Sequence, residues 1–317
     1  MSWERIRLLV RSFGLGTDDA GVFSRTQWRF PWVIWAICRI VAAVYYTIAM
    51  SSTFIFLLAT DPMSAATALV FVTDWTCILV TVYFLLATVN LFLDRKHGRY
   101  YHYSDRESLP AVELSWRHRV QWCLMNIYMN FSIIVTVVYW SFLRMPLPII
   151  FDLTCHTFPS ILGIVEVLLT PIPVRIQHVI YVWIYGGIYV TFTLIFYAAN
   201  GESPFTGSSE IYPNILDWAK PRMTIKAMVV VVLAIFGCQL FLWVLYKCRV
   251  YVARRFMYSA IPLASDAYLH GSEEQNGNIP GDAPVTASQQ KGAEKEEVEE
   301  EVLMLNSAVK SSENQEV

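Results

Sequence analysis

Six stretches of this chain are apolar for long enough to cross a lipid bilayer, and no other feature restricts its fold as strongly. A span needs about 20 apolar residues, because the hydrocarbon core is ~30 Å thick and an α-helix rises ~1.5 Å per residue. The runs at 32–59, 66–93, 119–143, 148–170, 174–199 and 225–246 meet that length. Composition agrees: 55% of the residues are hydrophobic and only 16% charged, and the charges gather between the runs. The implied fold is all-α, an integral membrane bundle of about six transmembrane helices.

Lys and Arg set the orientation, since basic residues concentrate on the cytoplasmic side of a span. With the N-terminus inside, the inner segments carry sixteen basic residues and the outer loops four. Both termini are therefore expected in the cytoplasm. The opening SWERIRLLVRSF is basic and amphipathic, without the continuous apolar core or small-residue cleavage site of a signal peptide, so the first span directs insertion. The plasma membrane and the endoplasmic reticulum both fit.

Three regions follow. Residues 1–30 form a basic cytoplasmic segment, 31–258 the membrane domain, and 259–317 an acidic tail. From residue 260 onward the tail holds 12 acidic residues against three lysines, too polar a mixture to build a core, and reads as disordered. Its EVEEEVLMLN stretch offers a protein partner a short helix. The inner loop DRKHGRYYHYSDRES mixes bases with aromatics, but beside two spans it suits anionic headgroups better than nucleic acid. GESPFTGSSEIYPNILDWAKPRM, at 201–223, is the one outer loop long enough to recognise anything outside. The six cysteines lie in spans or, for Cys248, just past the last one, so no disulfide framework is expected. Cys248, beside Lys247 and Arg249, reads equally as an acylation site or a free thiol.

Ionisable groups within apolar runs need a reason to be there. In DLTCHTFPSILGIVEVLL, the residues Asp152, His156, Gly163 and Glu166 fall within about 40° of one line on a helix turning ~100° per residue, a stripe that should face the bundle. Pro159 removes the helical partner of the Cys155 carbonyl and should bend the span beside His156. Arg39, eight residues in from the inner side, suits Glu166 as a partner better than Asp152. In VFVTDWTCILVTVYF, a second stripe carries Thr73, Cys77 and Thr81 with Asp74 at its margin. Asn126 and Asn130, one turn apart, read as interhelical glue. Arg175 and His178 read as an interfacial anchor of the fifth span.

With spans starting near 65 and 148, Thr73 and His156 lie at matched depth, roughly 12 Å below the outer surface. A hydroxyl and an imidazole so placed suit a nucleophile and its general base, with Asp152 orienting the ring. The bland alternatives are a Thr bonded back to its own helix, and a buried ion pair or shared proton for the carboxylates. No metal-ligand spacing, phosphate-cradling glycine loop or GxSxG elbow occurs, so no metal or cofactor is expected.

FVTDWTCILVTVYF, the pair Tyr139–Trp140, and HTFPSILGIVEVLLTPIPVRIQHVIYVWIYGGIYVTFTLIFY resemble the rolling stone family of animal multi-pass membrane proteins, over roughly residues 25–250. That resemblance implies a role in myoblast or cell fusion, or in development. More distantly, the chain is similar to the androgen-induced membrane hydrolases, which cleave fatty acid esters of hydroxy fatty acids with an intramembrane threonine and histidine. This second likeness puts those roles on Thr73, in FVTDW, and on His156, which opens an HT pair with Glu166 ten residues on. The chain departs from the hydrolases in its PIPVRIQH turn and longer 94–119 loop. A transporter ranks last, because inverted repeats with matching broken helices are not evident.

Overall fold

A computed structural model describes residues 13–17, 20–28, 30–60, 69–97, 114–144, 148–204, 206–213 and 215–258. The amphipathic start of the chain, most of the 94–119 loop and the acidic tail lie outside them. The described residues form seven α-helices: α1 (Trp32–Thr60), α2 (Val72–Lys96), α3 (Trp116–Val138), α4 (Ile149–His156), α5 (Phe158–Leu169), α6 (Val179–Ala198) and α7 (Pro221–Ala253). Short π-helical turns prolong α3 over Tyr139–Leu143 and α7 over Arg254–Tyr258. Five of the helices are long and apolar enough to cross a membrane, and α4 with α5, bent by 42° at their joint, brings the number to six where the pair is counted as one broken span.

The most buried span is α3, which packs against α2, α5, α6 and α7. Its Trp122, Met125, Tyr128 and Met129 meet Val80, Tyr83, Phe84 and Ala87 of α2, with Ala43 and Tyr46 of α1 and Leu242 of α7 closing the core. Gly163 lets α5 come close, for a Cβ there would sit 3.1 Å from the Met129 side chain. Such small residues let membrane helices approach where no hydrophobic effect drives them together. Outward faces stay apolar and open to lipid, as at Ile48 and Phe56 of α1, Ile184 and Ile195 of α6, and Val230 and Leu233 of α7.

The bend between α4 and α5 follows from Pro159, which lies in the first turn of α5 with Thr157 as the joint. Backbone groups freed within a membrane must find partners, and here three neighbouring helices supply them. The carbonyl of Thr154 accepts the Tyr46 hydroxyl of α1 at 3.4 Å. That of Cys155, which Pro159 leaves without an amide, accepts the Cys77 thiol of α2 at 3.8 Å. That of His156 accepts the Thr136 hydroxyl of α3 at 2.5 Å. The break is thus held from three sides.

The last carbonyls of α5 have no helical partners either, and they too are satisfied. Val167 and Thr170 accept from the buried Arg249 guanidinium of α7. Leu168 accepts from the Trp28 indole at 2.7 Å and Leu169 from the Gln27 amide at 2.7 Å. Residues 20–27 are buried in this end of the bundle, where Phe23 stacks on His118 and Ser24 donates to Asp94.

At the opposite end, the described residues of 201–220 fold into a cap rather than an open loop. Strands β1 (Glu210–Tyr212) and β2 (Leu216–Asp217) pair antiparallel, and Ile211 and Leu216 pack on Val70, Phe71 and Tyr189. The left-handed turn at Asn200 feeds Gly201, whose missing side chain leaves room for the Phe196 ring. The Tyr212 hydroxyl accepts the first amide of α2, from Val72, at 2.9 Å.

Candidate functional site

The polar residues inside the bundle form three clusters at different heights. At the basic end, Asp94 accepts from His118 at 2.9 Å, from Arg117 at 2.5 Å, and from Ser24. One carboxylate with two basic partners and a hydroxyl leaves little unsatisfied, which is the pattern of a structural tie.

In the middle of the bundle Arg39 and Glu166 form a two-pronged ion pair, both nearly fully buried. Tyr83 adds a hydrogen bond to Glu166 at 2.5 Å, and the guanidinium lies 4.4 Å from the Trp35 ring centroid. This is the pairing that depth along the spans favoured. On the other side of α3, Asn130 donates to Gln239 at 2.7 Å and Gln239 donates to the Arg175 carbonyl at 2.7 Å. Asn126 reaches the His178 ring at 3.4 Å. His178 is wholly buried beside Trp122, with ring centroids 4.9 Å apart, so it is no interfacial anchor. The turn before α6 folds under α3 and α7 because Trp122 and Gln239 bind its carbonyls.

The outer half holds the third cluster, in which a buried imidazole nitrogen has no hydrogen-bond partner. The π-helical turn at the end of α3 brings Tyr139 flat against His156, with centroids 3.5 Å apart and planes 2° apart. The Tyr139 hydroxyl donates to Asp152 at 2.5 Å. His156 Nδ1 lies 3.8 Å from the same carboxylate, beyond hydrogen-bond length, and is buried without a hydrogen-bond partner. Around this core, Trp140 donates to Thr157 at 2.8 Å, and the Tyr45 and Thr154 hydroxyls lie 2.6 Å apart. A stacked imidazole with one edge turned to a carboxylate can take a proton on its opposite edge, the carboxylate stabilising the imidazolium formed. π-Helical turns recur at functional sites for the same reason, that they re-aim a side chain.

Thr73 does not join this cluster. Helix α2 begins at Val72 rather than near 66, because Val70 and Phe71 are held in the packing of the outer cap. Thr73 and Asp74 therefore sit in the first helical turn. The Cys77 thiol meets the Cys155 carbonyl, and Thr73 precedes Cys77 by about one turn, ~6 Å back along α2. Among the described residues no hydrogen bond joins Thr73 to His156. Sequence reasoning also passed over Tyr139, Thr136 and Cys77 as partners of this site. Tyr139 carried a signal as half of the aromatic pair at the end of the third span, and Cys77 as a member of the stripe with Thr73, whereas Thr136 carried none. Among the described residues no group of three His, Cys, Asp or Glu side chains is placed to hold a metal.

The profile of a family described as "Protein rolling stone" matches residues 4–266. A relative from Drosophila melanogaster, named "Protein rolling stone", is 25% identical over 252 residues, which cover 77% of this chain and 89% of the relative. No solved structure matches the chain.

Proposed function

The chain belongs to the rolling stone family, and from that premise we propose that it acts as a multi-pass membrane protein in cell–cell fusion or development. The family match across all of the spans carries this reading. Its membrane is the plasma membrane or the endoplasmic reticulum, and the acidic tail at 259–317 is the segment for a cytoplasmic protein partner. The test is complementation in fusion-competent myoblasts depleted of their own rolling stone family protein. Recovery of multinucleate cells on expression of this chain is expected. No recovery at matched expression and membrane delivery overturns the reading.

A second reading is favoured by one arrangement, the buried His156 ring stacked on Tyr139, with its Nδ1 lacking a hydrogen-bond partner 3.8 Å from Asp152. It is an intramembrane hydrolase of lipid esters, such as fatty acid esters of hydroxy fatty acids. The Thr73 hydroxyl attacks the acyl carbonyl while His156 takes its proton, which then leaves with the alcohol. Water, giving its own proton to His156, frees the fatty acid and restores Thr73. Thr73 must come nearer His156 for this, through movement of the first turn of α2. Turnover of a long-chain ester by purified protein is the measure, with Thr73→Ala and His156→Ala both inactive. A wild type inert across a broad ester panel ends this reading without touching the first.

A further inference from the structure

The last helix is too long for the membrane it crosses. At 33 residues α7 extends ~50 Å, whereas the hydrocarbon core is ~30 Å thick. Its charge-free stretch lies between Lys226 and Lys247 and matches that core in length. The segment from Lys247 to the π-helical turn at Arg254–Tyr258 therefore stands in the headgroup layer. Lys247, Arg254 and Arg255 are exposed there. Tyr251 and Phe256, interleaved with them, are 71% and 72% exposed.

Other cations share this end of the bundle. Arg95 and Lys96 close α2, and Arg119 and the exposed Trp116 open α3. The ends are tied together through Arg249 on the Thr170 carbonyl, Gln27 on Leu169, and Ser24 and Arg117 on Asp94. Among the described residues at this end the only carboxylate is Asp94, and it is buried and consumed internally. Among the described residues, the exposed charges at this end are positive.

We propose that the Lys247–Phe256 end of α7 is a binding surface for acidic phospholipid headgroups. Cations alone would suit any anion. The exposed Tyr251 and Phe256 select a bilayer edge, because aromatic rings gain by sitting at the headgroup level while basic side chains reach the phosphates. Lys247 shows the geometry, with its ammonium over Trp243 at 5.4 Å and Tyr246 at 5.8 Å, so that its stem lies along apolar surface. This surface is separate from the outer cluster at His156 and stands whether or not that cluster is catalytic.

The test is native mass spectrometry of the full chain, titrated in detergent with phosphatidylserine or phosphatidylcholine of equal acyl length. The wild type is expected to favour phosphatidylserine, and the preference to fall steeply as salt rises. Each basic residue at an anionic surface contributes about 1 kcal/mol, or roughly fivefold. Lys247→Gln with Arg254→Gln should thus cut phosphatidylserine binding about 25-fold, while Lys220→Gln with Arg222→Gln at the opposite end changes little. No lipid preference in the wild type, a salt-independent preference, or equal loss in both double variants overturns the proposal. So does full competition by inorganic phosphate, or tighter binding of an acidic peptide than of the lipid. Should the inner double variant not fold, the wild-type lipid preference and its salt dependence decide.

Discussion

The ring of Tyr139 lies on the His156 imidazole at 3.5 Å while its hydroxyl holds Asp152 at 2.5 Å. One residue from the end of α3 thereby fixes both ionisable groups of α4, one through its face and the other through its edge. The two contacts are separable by mutation. Tyr139→Phe keeps the stack and removes only the hydrogen bond, and should lower stability by about 1 kcal/mol, in the range for bonds between membrane helices. Tyr139→Ala removes both and should cost clearly more. Thermal unfolding in a fixed detergent compares them, and equal losses would show that the stack contributes nothing.

Arg39 and Glu166 make the costliest pair to break. Glu166→Ala leaves a guanidinium buried and uncompensated, with an expected loss of about 3–5 kcal/mol. Replacing both partners with apolar residues of similar size, Arg39→Met with Glu166→Leu, should recover most of that. Folded yield and unfolding midpoint of the three variants measure it. A double variant no better than Glu166→Ala would mean that Tyr83, not charge burial, governs the site.

Pro159 and Thr136 should be coupled. Thr136→Val strips the His156 carbonyl of its hydroxyl donor and should cost about 1–2 kcal/mol. In a Pro159→Ala background the helix gains an amide and is free to straighten, so the same change should cost less. A double-mutant cycle by unfolding detects the difference, and strict additivity would separate the break from its side-chain supports.

The outer cap should weaken in alkali. Burial pushes the Tyr212 phenol above its ordinary value near 10, and Asp217 raises Lys220 above its own near 10.5. Both groups hold their protons more tightly folded than unfolded, so their contributions are whole below about pH 10 and fall as pH rises beyond it. Near-ultraviolet circular dichroism from Trp218, which donates to Thr193 at 3.2 Å, reports on the cap. A signal lost already near pH 8 would contradict this.

Gly201→Ala offers a steric test of the same cap. Its new Cβ would lie 2.5 Å from the Phe196 ring, forcing that ring or the Asn200 turn to move. Overpacking of this kind costs about 1–3 kcal/mol. The Trp218 signal should be lost at lower temperature than in the wild type, with the helical signal little changed.

What the sequence by itself determined was whatever depends on the bilayer as solvent. Length and apolarity fixed the spans, and a proline in an apolar run announced the bend at Thr157. Depth along two spans was enough to pair Arg39 with Glu166, because a buried charge leaves few alternatives. The tertiary structure alone decided which face met which. The start of α2 depends on how residues 201–220 pack against Val70 and Phe71, contacts more than a hundred residues apart that no periodicity records. The same is true of His178, whose place beneath α3 is set by Trp122 and Gln239 gripping the preceding turn. His156 stood out as an ionisable group in lipid. That Tyr139 lies against it comes from the π-helical turn at the end of α3, a local change of register with almost no signature in the sequence.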